Sequence, residues 1–389
     1  MAKKKKRKLK KGPILLFFLL VLIVLSAVFV PPLLKNKEVV KKESNTKKVE
    51  KKKEDNKEKK MSLVAVGDTL IHGAVFGDAQ TGTNTYDFSG MIADVKPLIE
   101  KYDLKYFNQE SIIGGKNLGI SHYPTFNSPD EIGDAMVDLG FNVVTTANNH
   151  TFDKGEAGIL YTNEYWKKKG IVHAGTYSSQ EERDEVKVYE QNGIKYGLLS
   201  YTTVTNGLKA PAGKEYLVNV YSNELAKKDV EALKKENVDV IIVAMHWGQE
   251  YIVDPVDEQK DIAKYLSDLG VNLIIGTHPH IIEPVGYIND TLVIYSLGNF
   301  ISGQNPMGID KIVGLMVGMD IIVKDKKVTF ENLDYKLLYT YATSRNTNYK
   351  VIPFDKLDDA TLKQYGNYTV QGLKDKYMEI VNREVNYGN

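Results

Sequence analysis

The stretch "VNLIIGTHPHIIEPVG", residues 271–286, decides how this sequence folds. An apolar run typical of a buried strand stops at Gly276, and two histidines, His278 and His280, follow with one proline between them. Side chains two residues apart in an extended segment point to the same side of the chain. The stretch therefore predicts a core strand that delivers two imidazoles to one place, either to one bound ion or to two.

The same arrangement recurs where other apolar runs end. Each run is followed at once by carboxylate, amide or imidazole side chains, and five of the seven histidines lie at such junctions. In an open α/β sheet the carboxyl ends of the strands line a single crevice. We therefore expect these side chains to lie close together. Besides the pair at 278 and 280, they are Asp68, His72, Asn108, Glu110, Asn148, Asn149, His150 and His246.

A metal ion is the partner that these side chains would share. Each has an ordinary explanation when taken alone, as a turn residue or a helix cap, but a group of buried ionisable side chains needs a common partner. Imidazole, carboxylate and amide ligands without cysteine suit zinc, manganese or iron, and such mixtures are typical of catalytic sites with an open position. We expect one or two divalent ions, which would share one carboxylate if there are two. His122 and His173 join no such pattern, so we expect them to be loop or core residues.

Alternating strand and helix patterns predict an α/β domain with layered sheets and a β-rich end. We expect this domain to cover residues 61–345, and residues 346–389 to be a C-terminal extension that packs on it.

Three local features of the domain are specific enough to test. Residues 87–101 have a helical pattern. Ser128 and Glu131 have the spacing of a capping box at the start of a helix. Asn192 and Gly193 predict a two-residue hairpin turn.

The N-terminal region predicts a membrane anchor. The first eleven residues are almost all cationic, and residues 12–34 carry no charge. That run is long enough to cross a bilayer, and a Lys/Arg-rich flank stays in the cytoplasm. We predict a cytoplasmic tail at 1–12, a single transmembrane signal anchor at 13–34 in the lipid bilayer of the cell membrane, a charged linker at 35–60 and an extracellular domain. A cleaved signal peptide is the alternative, although the apolar run is long for one.

Motifs spread over residues from about 64 to 300 carry a resemblance to a known family. In chain order they are "AVGDTLIH", "FNQE", "FNSPDEIGDAMVDLGFNVVTTANNHTFDKGEAGI", "MHWGQEYIVDP", "IIGTHPHIIEPV" and "VIYSLGNF". With these motifs the sequence resembles the CapA family of capsule-synthesis proteins (PGA_cap domain), whose domain is similar to the calcineurin-like metallophosphoesterases.

The resemblance implies a metallophosphoesterase-like four-layer α/β/β/α sandwich, preceded by one transmembrane helix. It also implies an extracellular, membrane-tethered protein of poly-γ-glutamate capsule biosynthesis, export or anchoring. Its partners would be membrane subunits of the poly-γ-glutamate synthase and an anionic polymer or phosphate-containing envelope substrate. No nucleic acid is expected as a partner.

The resemblance assigns a role to most of the candidate site residues. Asp68 and His280 would bind a first ion, Asn149, His246 and His278 a second, Glu110 would bridge both, and His150 would protonate a leaving group. The remaining candidates are His72, Asn148 and Trp247.

Two departures from the wider superfamily pattern concern the first ion. That pattern opens with Asp-x-His, whereas three residues separate Asp68 from His72. Its bridging residue is an aspartate, whereas Glu110 is one methylene longer. We therefore expect the first site to be weaker, differently built or empty, and phosphatase activity does not follow from the fold alone.

Two classes of function remain open at this point. The chain is either a metal-dependent hydrolase or transferase acting on a phosphate ester or an amide of the cell envelope, or a non-catalytic accessory of the polymer synthase. An acid at His150 is needed only by the enzyme. Trp247 and Tyr251 are either substrate walls or core aromatics, and we favour core positions for both.

Overall fold

The structure, a computed structural model, describes residues 58–304 and 308–387. The basic tail, the anchor predicted at 13–34 and most of the linker lie outside the described residues. Within the described ranges, no helix has the length and apolar character needed to cross a membrane.

The described residues contain sixteen β-strands and eleven α-helices. The strands are β1 (Lys59–Leu70), β2 (Gln80–Gly82), β3 (Thr85–Tyr86), β4 (Leu104–Gln109), β5 (Val143–Thr145), β6 (Val172–Ala174), β7 (Tyr189–Gln191), β8 (Ile194–Thr202), β9 (Val240–His246), β10 (Leu273–Thr277), β11 (Val285–Ile288), β12 (Thr291–Ile294), β13 (Asn299–Ser302), β14 (Val313–Lys324), β15 (Lys327–Tyr341) and β16 (Lys350–Pro353). The helices are α1 (Gly73–Asp78), α2 (Ser89–Ile92), α3 (Lys96–Ile99), α4 (Asp130–Leu139), α5 (Gly155–Lys169), α6 (Gln180–Asp184), α7 (Asn223–Lys235), α8 (Asp257–Asp268), α9 (Ile309–Ile312), α10 (Asp359–Leu362) and α11 (Val370–Val381).

Two mixed β-sheets form the centre of the domain. The first has the order β16-β15-β14-β1-β4-β5-β6, with β13 also paired to β1, and its β1, β4, β5, β6 and β13 run parallel to one another. The second has the order β11-β12-β10-β9-β8-β7, and its four middle strands are parallel. Parallel strands end at a common edge, so each sheet gathers several carboxyl ends at one place.

The side chains of the strands divide between an inner and an outer core because successive residues point to opposite faces. Leu63 and Ala65 of β1 pack between the two sheets, together with Ile242 of β9. Val64 of β1 packs outward against helices such as α4 and α5, and Val243 of β9 packs outward against α7 and α8. The layers are therefore helix, sheet, sheet and helix, as predicted.

The chain beyond residue 345 continues to bury apolar groups. Strand β16 pairs antiparallel with β15. Leu373, Tyr377 and Val381 of α11 join the core between the sheets.

One of the three local predictions is confirmed. The turn between β7 and β8 has Asn192 and Gly193 at its centre, with φ of +52° and +77°. Two successive positive φ angles are what the favoured two-residue hairpin turn requires.

The helical prediction for 87–101 is confirmed in part. Residues 89–99 are helical, as α2, a 3₁₀ turn over Ala93–Val95 and α3, and the interruption lies before Pro97, which supplies no backbone N–H to continue an earlier helix. The capping-box prediction is wrong. The residue before α4 is Pro129, so Ser128 is not the N-cap. The Ser128 hydroxyl donates instead to Ser111 Oγ at 2.7 Å, in a buried pair.

Candidate metal centre

The candidate metal centre lies where carboxyl ends of strands from both sheets meet. Asp68 lies near the end of β1 and Glu110 directly follows β4, both in the first sheet. His246 ends β9, and His278 and His280 follow β10, in the second sheet. All five side chains are buried. Each sheet therefore contributes part of the centre.

Glu110, His278 and His280 form the tightest group of ligand atoms. One ligand atom from each lies within 4.8 Å of the other two. Glu110 Oε1 is 3.5 Å from His280 Nε2 and 3.8 Å from His246 Nε2. Asp68 Oδ2 is 3.3 Å from His280 Nδ1. The first and second sheets thus bring predicted ligands within the distance that one small cation spans.

Three buried ligand atoms of this group have no hydrogen-bond partner among the residues that the structure describes. They are both carboxylate oxygens of Glu110 and the Nδ1 atom of His278. Leaving a buried polar atom unpaired costs roughly 1–3 kcal/mol, and more when the group is charged. A divalent cation would satisfy all three atoms, and imidazole with carboxylate is a suitable donor set. The residues present therefore fit a metal ion.

Burial changes the protonation of the ligand groups. It raises the pKa of Glu110 well above its ordinary value, against the opposing effect of the nearby His280 charge. Burial also lowers the pKa of His278 to about 3 and that of His246 well below its usual range. The neutral imidazoles of His246 and His278 carry a free lone pair, which is the form that binds metal ions. Against the effect of burial, Glu110 and Asp68 raise the pKa of His280 to about 9, so a bound cation would displace the proton of that ring.

Neighbouring polar side chains orient the ligands. Asn108 Nδ2 donates to Asp68 Oδ1 at 2.8 Å. His246 Nδ1 is 3.0 Å from Thr277 Oγ1, and His280 Nδ1 is 3.0 Å from Asn299 Oδ1. These contacts hold the Nδ1 side of each ring and direct Nε2 toward Glu110. Such supporting hydrogen bonds are usual around histidine ligands.

The backbone around the two histidines that follow β10 departs from the prediction. We expected an extended segment, but His278 and His280 have φ of +100° and +60°. Non-glycine residues rarely adopt this left-handed region, and when they do the site is often functional. The two rings still share one site, with centroids 6.0 Å apart. The turn, rather than strand alternation, brings them together.

A close backbone approach fixes Asp68. A Cβ atom on Gly67 would lie 1.8 Å from the carbonyl oxygen of Gly298. Only glycine permits this contact, and it allows the Asp68 N–H to donate to Gly298 O at 2.9 Å. The carboxylate is thereby held at the crossing of β1 and the turn before β13.

The two asparagines after β5 have different positions. Asn149 Oδ1 lies 3.1 Å from His246 Nε2, so Asn149 belongs to the centre. Asn148 points away from it: its Nδ2 donates to Gln109 O at 2.7 Å, and its Oδ1 accepts from the His150 N–H at 3.0 Å. Asn148 therefore shapes the turn that presents Asn149 and His150.

His150 lies beside the ligands and has a carboxylate partner. Its Nδ1 is 2.8 Å from Asp153 Oδ2, and its ring contacts the edge of Phe126 with centroids 4.6 Å apart. Asp153 also accepts from the Phe126 N–H at 2.6 Å. Asp153 was missed by the sequence analysis. The His-x-x-Asp spacing in "HTFD" is the feature of the sequence that could have indicated it as a partner of His150.

His72 and Trp247 do not join the group of ligands. His72 Nδ1 lies 3.2 Å from Leu70 O and 3.3 Å from the Gly303 N–H, and no carboxylate of the described residues forms an ion pair with it. Trp247 is buried, stacks on Tyr295 and donates from Nε1 to Tyr295 O at 2.9 Å. Trp247 is thus a core residue, as favoured.

The sequence interpretation of Tyr251 as a core aromatic is wrong. Tyr251 is 45% exposed and has φ of +66°. Its N–H donates to Pro279 O at 2.9 Å, and its ring centroid lies 6.1 Å from that of His280. It lines an open cleft of about 610 Å³ together with His72, His122, His150, Glu250, His280 and Lys311.

Comparison with known proteins identifies relatives of this chain. The model of the family described as "Bacterial capsule synthesis protein PGA_cap" matches residues 62–304. The PGA biosynthesis protein CapA of Bacillus subtilis is 35% identical over 180 residues, which cover 43% of this chain and 44% of that protein. The capsule biosynthesis protein CapA of Bacillus anthracis is 26% identical over 259 residues, 63% of this chain and 61% of that protein. The chain thus matches less than two thirds of the length of either relative.

Two solved structures align with this chain at low sequence identity and with TM-scores below 0.5. A putative 5′-nucleotidase from Staphylococcus aureus aligns with a TM-score of 0.48 and 17% identity, over 82% of this chain and 58% of that one. The calcineurin-like phosphoesterase YfkN of Bacillus subtilis aligns with a TM-score of 0.45 and 16% identity, over 82% of this chain and 100% of that one.

The family match extends over more than half of the 389 residues and contains every predicted ligand from Asp68 to His280. The chain belongs to the bacterial capsule synthesis protein PGA_cap family.

Proposed function

We propose that this chain is a metal-dependent hydrolase or transferase of capsule biosynthesis, anchored in the cell membrane with its domain outside. The observation that carries the catalytic part is the buried group of Glu110, His278 and His280, whose unpaired oxygen and nitrogen atoms converge. The capsule part is supported by the family and by the two Bacillus relatives, both of which are named as capsule or PGA biosynthesis proteins.

One ion would be held by Glu110, His278 and His280. That site, or a second one beside it, would be completed by Asp68, His246 and Asn149. A bound divalent ion polarises a phosphoryl or carbonyl oxygen and lowers the pKa of water. The protein would hold such an ion in a fixed position, because Asn108, Thr277 and Asn299 fix the orientation of the ligand side chains.

His150 is the residue placed to move a proton. Asp153 occupies its Nδ1 atom, so Nε2 is the nitrogen left to face a substrate in the cleft. The carboxylate partner holds one tautomer and one ring orientation, which is the arrangement of a general acid. A leaving group that departs beside the ligands would receive its proton from this atom.

Anchoring and partners extend the proposal beyond the domain. The cationic tail and the apolar run at 13–34 support a single-pass anchor with a cytoplasmic N-terminus. An anchored extracellular domain would work beside the membrane subunits of the polymer synthase, on the anionic polymer or on a phosphate-containing envelope substrate. The accessory alternative keeps the metal centre as a binding or structural element without proton transfer.

His150→Ala separates these alternatives in a strain whose capsule depends on this protein. We expect the variant to retain its metal and its abundance while capsule production or anchoring falls sharply, since a general acid typically contributes on the order of 10²- to 10⁴-fold in rate. Metal content and thermal stability of the purified variant serve as controls. A normal capsule in a well-expressed His150→Ala strain contradicts the catalytic proposal and favours the accessory.

A further inference from the structure

Lys311 places an unpaired ammonium group in the wall of the cleft. It lies on α9, is partly buried, and its Nζ is 5.0 Å from the centroid of the Tyr251 ring. Among residues 58–304 and 308–387, no carboxylate lies within ion-pair distance of Nζ and no side chain accepts a hydrogen bond from it. A lysine ammonium has three donors, and none of the described residues takes one of them as a hydrogen-bond acceptor.

Asn299 ties the position of Lys311 to the metal centre. Asn299 Oδ1 contacts His280 Nδ1 at 3.0 Å, while Asn299 Nδ2 donates to the backbone oxygen of Lys311 at 2.9 Å. One buried amide therefore holds both a proposed metal ligand and the backbone of this lysine. The Asn299 amide thereby fixes the backbone of Lys311 relative to the ligands, and the ammonium group lies beside the Tyr251 ring.

Tyr251 supports the Lys311 side chain from the other side. Its ring centroid lies 6.1 Å from that of His280, and its hydroxyl accepts from Gln304 Nε2 at 3.0 Å. Gln304 Oε1 in turn accepts from Asn299 Nδ2 at 3.0 Å. The tyrosine adopts its unfavourable left-handed backbone while half exposed, so core packing does not account for its position. It acts as a platform between the ammonium and the ligands.

We propose that Lys311, held over Tyr251, binds an anionic group of the substrate, a phosphate or a carboxylate, next to the metal centre. The proposal rests on the proposed function, because it assigns the substrate class of that same cleft. Glu250 also lines this cleft, with 4.0 Å between Glu250 Oε1 and His280 Nε2, and its carboxylate lies near the Tyr251 hydroxyl. No ion pair joins Glu250 to Lys311 among the described residues, so the ammonium group of Lys311 is the positive group that an anion in the cleft would meet.

Binding of two simple anions to the full-length, manganese-loaded protein in a nonionic detergent tests the proposal. Inorganic phosphate and glutarate are titrated separately by calorimetry, and the anion that binds shows whether the group is a phosphate or a carboxylate. Lys311→Met should weaken the binding of that anion by roughly 10- to 100-fold, the usual effect of losing a charge-assisted hydrogen bond. Lys311→Arg should keep most of the affinity, because it keeps the charge.

Lys264→Met is the matched control, since Lys264 lies on α8, is exposed and pairs with Asp268 away from the cleft. It makes the same change in net charge and should leave anion binding unaltered. Equal affinity of wild type and Lys311→Met at equal metal content overturns this proposal alone. So does a metal-loaded wild type that binds neither anion. A wild type that takes up no metal contradicts the proposed function as well.

Discussion

At the residue scale, Glu110 explains most of what is unusual about the site. Glu110 stands where the resemblance implied an aspartate, and its side chain is one methylene longer. Glu110 Oε1 reaches across to His280 and His246 of the second sheet, at 3.5 and 3.8 Å. Neither of its oxygens has a hydrogen-bond partner among the described residues. A carboxylate in this position is unfavourable without a cation and favourable with one.

The effect of Glu110→Gln on the stability of the protein should therefore depend on whether metal is bound. In the metal-free protein, the neutral amide should be no less stable than wild type, because burial raises the pKa of Glu110 and disfavours its charge. Adding manganese should stabilise the wild type, by about 2.7 kcal/mol at a hundredfold excess over the dissociation constant, but hardly the variant. Calorimetric melts with and without chelator measure both quantities. An equal gain of stability in the two proteins would rule out Glu110 as a ligand.

At the scale of elements, the connection from β10 to β11 joins the centre to α8. Glu283, three residues after His280, is fully buried, and its Oε2 accepts from Gln259 Nε2 at 2.6 Å. Its Oε1 has no hydrogen-bond partner among the described residues. Gln259 also accepts from the Val256 N–H at the start of α8. This connection therefore carries a buried acid whose charged form is poorly compensated.

Glu283→Gln should be increasingly stabilising as pH rises. Burial raises the pKa of Glu283 well above its ordinary value, so the folded state holds a proton that the unfolded state has released. The contribution of Glu283 to wild-type stability is fully present below the pKa that its carboxyl has in the unfolded state. It is lost as pH rises through the pKa of the folded state. Between these two pKa values the loss is up to about 1.4 kcal/mol per pH unit. Melting curves at pH 5 and pH 8 measure the effect. A difference between variant and wild type that stays constant over this range would disprove it.

The same scale shows what the sequence can and cannot predict. His246 and His278 were recognisable because each ends an apolar run that must be a buried strand. Asn299, Gln304 and Lys311 were missed. Asn299 begins β13, Gln304 follows this strand and Lys311 lies on the short helix α9, so their positions depend on the packing of β13 and β14 against β1. Their sequence carries no periodic pattern, so only tertiary structure reveals them.

Local structure was predicted in part. The helical pattern at 87–101 is real, but it is divided before Pro97, a residue that is visible in the sequence. Ser128 has the spacing of a cap, yet its hydroxyl donates to the buried Ser111 hydroxyl. The left-handed backbone at His278 and His280 was not predicted, because few non-glycine residues adopt it. Tertiary contacts decide the last two cases.

At the scale of the whole molecule, the candidate metal centre lies where the two sheets meet, and both sheets contribute predicted ligands. Asp68 and Glu110 come from the first sheet, and His246, His278 and His280 from the second. A bound ion would therefore join the two halves of the sandwich, and its loss would be felt by the entire domain. This follows from the geometry whether the chain is an enzyme or an accessory of the synthase.

The metal content of the purified full-length protein tests this account most directly. Elemental analysis should find at least one divalent transition ion per wild-type chain. Glu110→Gln removes a ligand of the first sheet and His278→Ala one of the second, and each should lower the content markedly, whereas His122→Ala, outside the group of ligands, should retain it. Metal content equal to wild type in both Glu110→Gln and His278→Ala would contradict a centre built between the two sheets.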